Sequence, residues 1–242
     1  PMHPVIVEIP LWGGKSLPLH GYGLMIVVGF LIAIWITRRE FLRRGLPDVA
    51  YDVGLAVLLC GLVGGRAFYY VQFHQQQFAG ESFLEFFKIW KGGLVFYGGA
   101  IGGIAGAAWV IWRRGLPLGA SFDAVAAGTP AGMAFGRLGC FLNGCCYGDR
   151  CAVDFPLGVR FPLGAPAQRD QWAQGTMDAL SEPALPLHPT QLYQAGHDFL
   201  LLGLLIWYVR RPQSVRGGGM PLLVAVYGLS LIHISEPTRL RR

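Results

Sequence analysis

From Leu19 to Ile36 the chain runs eighteen residues without Asp, Glu, Lys or Arg, then places Arg38, Arg39, Arg43 and Arg44 close behind. A helix rising about 1.5 Å per residue crosses most of a hydrocarbon core in that length. Clustered Arg and Lys stay on the cytoplasmic side, so this run is expected to span a membrane with its amino end outside. The pattern repeats. Val49 to Val71 is expected to return outward, Leu94 to Trp112 to cross toward Arg113 and Arg114, and Ser121 to Leu142 to cross back. A fifth span follows Pro189 and ends before Arg210 and Arg211, and a sixth begins near Gly219. Tyr147 to Leu187 is polar, dotted with prolines and free of any spanning run, which fits an extracytoplasmic head. Residues 72–92 mix charge and apolar bulk and are expected to lie as a short amphipathic segment on the outer surface.

The expected fold class is therefore all-α, a polytopic integral membrane protein with about six spanning helices. Composition agrees, because only 14% of residues are charged where a soluble domain carries roughly 25%. The net charge of +6 does not point to nucleic acid: the arginines sit beside apolar runs, with none of the aromatic-basic interleaving of a nucleic-acid platform. Residues 1–18 lack the basic, apolar and small-residue succession of a signal peptide, and the chain starts at Pro1 where a native start would place a Met.

Within the fourth run lies Gly136-Arg137-Leu138-Gly139-Cys140-Phe141-Leu142-Asn143-Gly144-Cys145-Cys146-Tyr147-Gly148. An arginine at membrane depth costs several kcal/mol unless it is paired or faces a wet cavity, so it marks a candidate site. Its planar fork suits a phosphate held by two parallel hydrogen bonds. Two readings follow: a phosphate-headed lipid held by Arg137, or a structural arginine paired with a helix carboxylate such as Asp123. Arg66, one turn beyond Gly61, Gly64 and Gly65, is either a second phosphate ligand or an arginine snorkelling to the outer interface. Glycines recurring through Gly98, Gly99, Gly102, Gly103 and Gly106 line a helical face for close packing. They are not a dinucleotide loop, since no strand precedes them.

Gly136-Arg137-Leu138-Gly139 with Phe141, Asn143 and Gly148 resembles the signature of the prolipoprotein diacylglyceryl transferases. Three further blocks match in the same order: Leu19-His20-Gly21-Tyr22-Gly23, Tyr97-Gly98-Gly99, and His188-Pro189-Thr190-Gln191-Leu192-Tyr193. The resemblance covers nearly the whole chain up to Tyr227. It departs where the family usually has Asn and Glu, here Cys140 and Cys145, and where it has His, here Tyr97; it is similar to a cysteine-bearing branch. The resemblance implies a multi-pass enzyme of the bacterial inner membrane. It would move diacylglyceryl from phosphatidylglycerol to the lipobox cysteine of a preprolipoprotein signal peptide and release glycerol phosphate. It implies Arg137, Tyr97 and His188 as catalytic candidates, and Arg66, Tyr22, Asn143, Gly98, Gly99, Gly148 and Tyr227 as substrate-binding ones. The general base stays open, since Tyr97 ionises near pH 10 when unperturbed. His188 is otherwise an ordinary loop histidine, and Tyr22 an interfacial anchor.

The resemblance also implies seven spans in the intact family, with an Arg and a Glu soon after Tyr227. Leu229 to Arg239 instead reads like translated adapter sequence, so 1–228 is expected to be the membrane-embedded domain and 229–242 an artefactual tail.

Cys140, Cys145, Cys146 and Cys151 allow four readings: small packed apolar residues, one disulfide, a structural metal site, or a catalytic thiol. Adjacent cysteines do not reproduce the paired C-x2-C of common zinc sites, so no metal is assigned, and no cofactor. Two other functions compete with the transferase: a non-catalytic lipid-binding or transport protein, and a thiol-redox membrane protein built on these cysteines.

Overall fold

The computed structural model describes residues 5–10, 16–78, 86–88, 92–177 and 181–235. Its helices are α1 (Gly21–Arg43), α2 (Ala50–Gln72), α3 (Phe96–Arg113), α4 (Leu118–Asn143), α5 (Pro166–Ala173), α6 (Thr190–Arg210) and α7 (Gly219–Ser235). One short hairpin accompanies the helices. Strands β1 (Val5–Pro10) and β2 (Ser16–His20) pair antiparallel, with Val7 opposite Leu19 and Ile9 opposite Leu17. The β-branched run Val5-Ile6-Val7 carries that strand preference, and a hairpin of two strands tolerates its prolines at an edge.

Among the described residues, α1, α2 and α6 are long and apolar enough to cross a membrane, and Gly219–Ser230 is a shorter apolar stretch. Their apolar side chains face outward. Val27, Leu31 and Trp35 of α1 and Leu55, Leu59 and Val63 of α2 are each more than half exposed. Arg66, Asp123, Gln191 and Asp198 are buried instead. Apolar outside and polar inside is the arrangement a lipid solvent demands. The first helix outruns its expected end at Ile36 by taking Arg38, Arg39 and Arg43 into its last turns. Arginine is a good helix former and is favoured at a carboxyl end by the helix dipole. Of the expected outer segment, 72–92, residues 79–85 and 89–91 lie outside the described residues, and the rest include a π-helical turn at His74–Phe78.

The chain divides into two compact units, Pro1–Ile36 with Val125–Arg242, and Thr37–Ala124. In the second unit α2 and α3 meet through glycine. A Cβ on Gly106 would lie 2.7 Å from the Ala56 carbonyl, and one on Gly64 3.1 Å from the Gly102 Cα, so the two backbones touch directly. Ion pairs join the ends that carry the basic clusters: Arg38 with Asp48 at 2.6 Å, Arg44 with Asp123 at 3.4 Å, and Arg114 with Asp52. The arginine groups at 38–44 and 113–114 therefore gather at one end of that unit.

In the first unit, α4 packs through alanines. Ala127 and Ala131 are buried with Ile36 and Val209, while Ala126 is buried with Leu201, Leu205 and Leu223. Leu201, Leu205 and Val209 recur at four-residue spacing and present one face of α6 to this core. The 147–187 segment has its own small core of Phe161, Ala165, Ala167, Ala184 and Leu187. Gln168 and Gln171 of α5 tie it down: Gln168 Nε2 donates to the Glu182 carbonyl at 2.6 Å, and Gln171 Oε1 accepts from the Leu185 amide at 2.8 Å.

Candidate functional site

The carboxyl end of α4 builds the site. Gly144 adopts φ 72°, its amide donates to the Phe141 carbonyl, and the Cys145 amide reaches back to the Cys140 carbonyl at 3.1 Å. This is the glycine-ended helix closure that satisfies otherwise orphaned carbonyls. The same closure ends α1 at Gly45 and α3 at Gly115. Here it has a chemical consequence: it folds Cys145 back over Cys140. Cys146, at φ 60°, is the only non-glycine with positive φ among the described residues. A residue with a Cβ holds that conformation at a cost, and such strain gathers at functional sites.

The turn is clamped from outside. Gln191 Nε2 donates to the Cys145 carbonyl at 2.7 Å, Thr190 Oγ1 to the Cys146 carbonyl at 3.2 Å, and the Ala167 amide to the Gly144 carbonyl at 3.1 Å. As a result Cys140, Cys145 and Cys146 bring their sulfurs within 4.8 Å of one another, with Cys145 and Cys146 3.9 Å apart. The Cys145 thiol is held below the ordinary thiol range by hydrogen bonding with Cys140, then with Cys146, and less strongly with Asn143.

Arg137 lies about one turn before Cys140, half-buried, and its electrostatic neighbours include Cys140, Cys146 and Tyr227. Among the described residues its one hydrogen bond is a long one, 3.4 Å from Nη2 to the Tyr227 hydroxyl. Asp123, the alternative partner, is taken by Arg44. Most of the five guanidinium donors of Arg137 are thus free for an anion. Tyr22 packs on the same helix: a Cβ on Gly139 would stand 3.2 Å from both its ring and its carbonyl. Tyr22, Arg137, Asn143, Tyr227 and the three thiols form one neighbourhood.

Gly148 and His188 sit at the rim. The Gly148 amide donates to the His188 carbonyl at 2.9 Å, and a Cβ there would strike Thr190 at 2.6 Å, which explains the glycine. His188 stands edge-on to Phe155 at 4.7 Å, with Nδ1 3.4 Å from the Tyr193 hydroxyl. Beside them a cavity of about 730 Å³ is lined by Cys146, Gly148, Asp149, Arg150 and Gln171 among others. Burial, with the Asp170 carboxylate 2.7 Å away, pushes the Tyr147 hydroxyl well above its ordinary range, so it stays protonated.

Four expected residues belong to the other unit. There the Arg66 guanidinium donates to the carbonyls of Phe86 at 2.8 Å, Gly92 at 2.6 Å and Gly93 at 3.1 Å. It also faces the rings of Tyr69 and Phe78. It is buried and holds loop backbone. Gly98 is closed over by Gly64 and Phe68, and Gly99 faces Gly61. Tyr97 is 72% exposed at the first turn of α3.

Sequence reasoning missed two residues. Gln191 is fully buried and clamps the Cys145 carbonyl while its Oε1 has no partner among the described residues. Asp198 is 1% exposed, 3.4 Å from His197, and its Oδ2 likewise has no partner among them. It also stands within the electrostatic reach of Arg137. Both lie on α6, where Gln191, Gln194 and Asp198 are buried polar side chains in the first half of a helix that turns apolar.

The prolipoprotein diacylglyceryl transferase family model matches residues 8–236. The chain is 32% identical over 230 residues to a phosphatidylglycerol–prolipoprotein diacylglyceryl transferase of Corynebacterium efficiens, covering 93% of this chain and 70% of that relative. To the enzyme of the same name from Paraburkholderia phymatum it is 34% identical over 249 residues, covering 95% of this chain and 80% of the relative. The Geobacter sulfurreducens enzyme is 31% identical over 220 residues, covering 88% and 75%.

Proposed function

The chain belongs to the prolipoprotein diacylglyceryl transferase family, and from that premise we propose that it moves diacylglyceryl from phosphatidylglycerol to a lipobox cysteine thiol. In this reaction the thiol sulfur attacks the glycerol carbon, the bond from that carbon to the phosphate oxygen breaks, and glycerol phosphate leaves with the electron pair. The carrying observation is Arg137, a half-buried guanidinium whose only hydrogen bond among the described residues is long. Its free fork suits the phosphate, and the charge it meets grows as the phosphate departs, which is where a fixed cation accelerates a reaction most. Tyr227 aims the guanidinium. Tyr22 and Asn143 orient the head group, and Gly148 lets the rim pack closely against His188 and Thr190. His188 is the candidate base at that rim. Tyr97 positions lipid, and Gly98, Gly99 and Arg66 act at one remove by fixing α3 and the backbone at Phe86, Lys88, Gly92 and Gly93.

The direct test mixes purified protein with phosphatidylglycerol and a lipobox peptide. Glycerol phosphate should accumulate one for one with thioether-linked peptide. Lipid binding without any release would leave the non-catalytic reading in its place.

The topology belongs to the same proposal: six spans in the bacterial inner membrane, arginines 38–44, 113–114 and 210–216 inside, and 147–187 outside. Val153 is 77% exposed in the outer segment. In a cysteine-free background, a cysteine placed there should react with an impermeant thiol reagent in intact spheroplasts. Labelling only after the membrane is broken would reverse the orientation.

A further inference from the structure

We propose that Cys140, Cys145 and Cys146 form a binding site for one zinc-class divalent cation, with a fourth coordination position left to an exogenous thiol. The three sulfurs already converge, all within 4.8 Å, and the Cys145–Cys146 separation is 3.9 Å. Zinc–sulfur bonds of about 2.3 Å at tetrahedral angles set sulfurs about 3.8 Å apart. Closing the site asks for side-chain adjustment only. Two independent features hold the sulfurs there: the helix closure that returns Cys145 to Cys140, and the positive φ of Cys146. Outside hydrogen bonds fix three successive carbonyls of the turn, so the triad is preorganised as a metal site requires. A disulfide would use two of the three sulfurs and leave the convergence of the third without a purpose. The sequence lacks C-x2-C spacing, and the helix end brings the sulfurs together by a different route.

The ligand count points to the open position. Among the described residues the cluster holds three thiols and no further His, Asp or Glu. Structural zinc sites take four protein ligands, whereas reactive ones take three and leave one place for water or substrate. With all three cysteines bound as thiolates the site carries a charge of minus one, beside the Arg137 guanidinium. Cys146 is exposed and lines the large cavity, so the fourth side is reachable.

The role of that position rests on the proposed function. The incoming lipobox thiol takes the fourth place and loses its proton to solvent, because a thiol bound to zinc is deprotonated outright. Its sulfur then forms the bond to the glycerol carbon while the carbon–oxygen bond breaks toward phosphate. The thioether, a weaker ligand than thiolate, leaves the metal.

The test uses the full chain in detergent, reduced and stripped with chelator, then titrated with Zn²⁺ or Co²⁺. Wild type should take up one equivalent, and with Co²⁺ should show thiolate-to-metal charge-transfer absorption. Cys140→Ser, Cys145→Ser and Cys146→Ser should each weaken binding by more than the roughly 10–100-fold that outer partners carry. Cys60→Ala and Cys151→Ser should bind as wild type does. A lipobox peptide should shift the cobalt spectrum, and its Cys→Ser analogue should not. No uptake by folded wild type, a disulfide found in its place, or full uptake by the triple Ser variant would overturn the site. Cobalt bound with no shift on adding the Cys peptide would overturn the open position. Glycerol phosphate release is followed in parallel. Release that survives chelation removes the metal from the reaction and leaves the transferase standing; absence of release in every metal state removes the transferase and leaves the metal site.

Discussion

Arg137→Lys is expected to insert and fold as the wild type does, yet lose about 10²–10³ of its turnover, the usual effect of removing one contact to developing charge. Lysine keeps the positive charge but replaces a planar fork with a point donor on a flexible stem, so two phosphate oxygens are no longer held together. The tertiary structure sharpens this expectation. Asp123, the carboxylate that would have made Arg137 structural, is bound to Arg44 at 3.4 Å. The hydroxyl of Tyr227, also at 3.4 Å, is too weak a partner to occupy the fork. Turnover is measured as glycerol phosphate released per folded molecule, with folding scored separately by gel filtration. A folded Lys variant that turns over normally would remove Arg137 from the reaction.

Gly102→Leu is expected to leave little folded protein. A Cβ at Gly102 would fall on the Cys60 carbonyl and within 3.2 Å of the Gly64 Cα. Both obstacles are backbone, so no side chain can turn aside and α2 must part from α3. Overpacking a rigid contact costs about 1–3 kcal/mol or more, and Leu adds three carbons beyond that first clash. Gly102→Ala should fold with a lowered melting temperature. Gly203→Ala, where nothing stands within 4 Å, should be neutral or slightly stabilising. The measurement is the monodisperse fraction surviving a heating series in detergent. If Gly102→Leu survived as well as Gly203→Ala, α2 and α3 would not meet as described.

Much was legible before any coordinates. An apolar run closed by arginines is a local pattern, because membrane thickness sets its length and the charge cluster sets its hand. The helices accordingly lie near the expected residues: α2 begins at Ala50 against Val49, and α6 ends at Arg210. The hairpin at Val5–Pro10 was missed because prolines masked a run of β-branched residues. The small-residue face of Gly61, Gly64 and Gly65 was likewise visible, though not which glycine it would meet.

By itself, then, the sequence determined the helical class of fold and the family, and it singled out the arginine near the end of α4 as a candidate, since each is written in composition, period or a contiguous block. What only the tertiary structure decided was partnership. Arg66 is spent on four loop carbonyls, Asp123 on Arg44, and Gln191 on the turn that follows α4. The cysteine spacing left packing, disulfide, metal and catalysis all open, and a helix closure five residues long brought three sulfurs within 4.8 Å. The physical reason is range. Periodicity and charge act between neighbours in the chain, whereas a guanidinium or a thiol acquires its chemistry from whatever residue folding brings within a few ångströms of it.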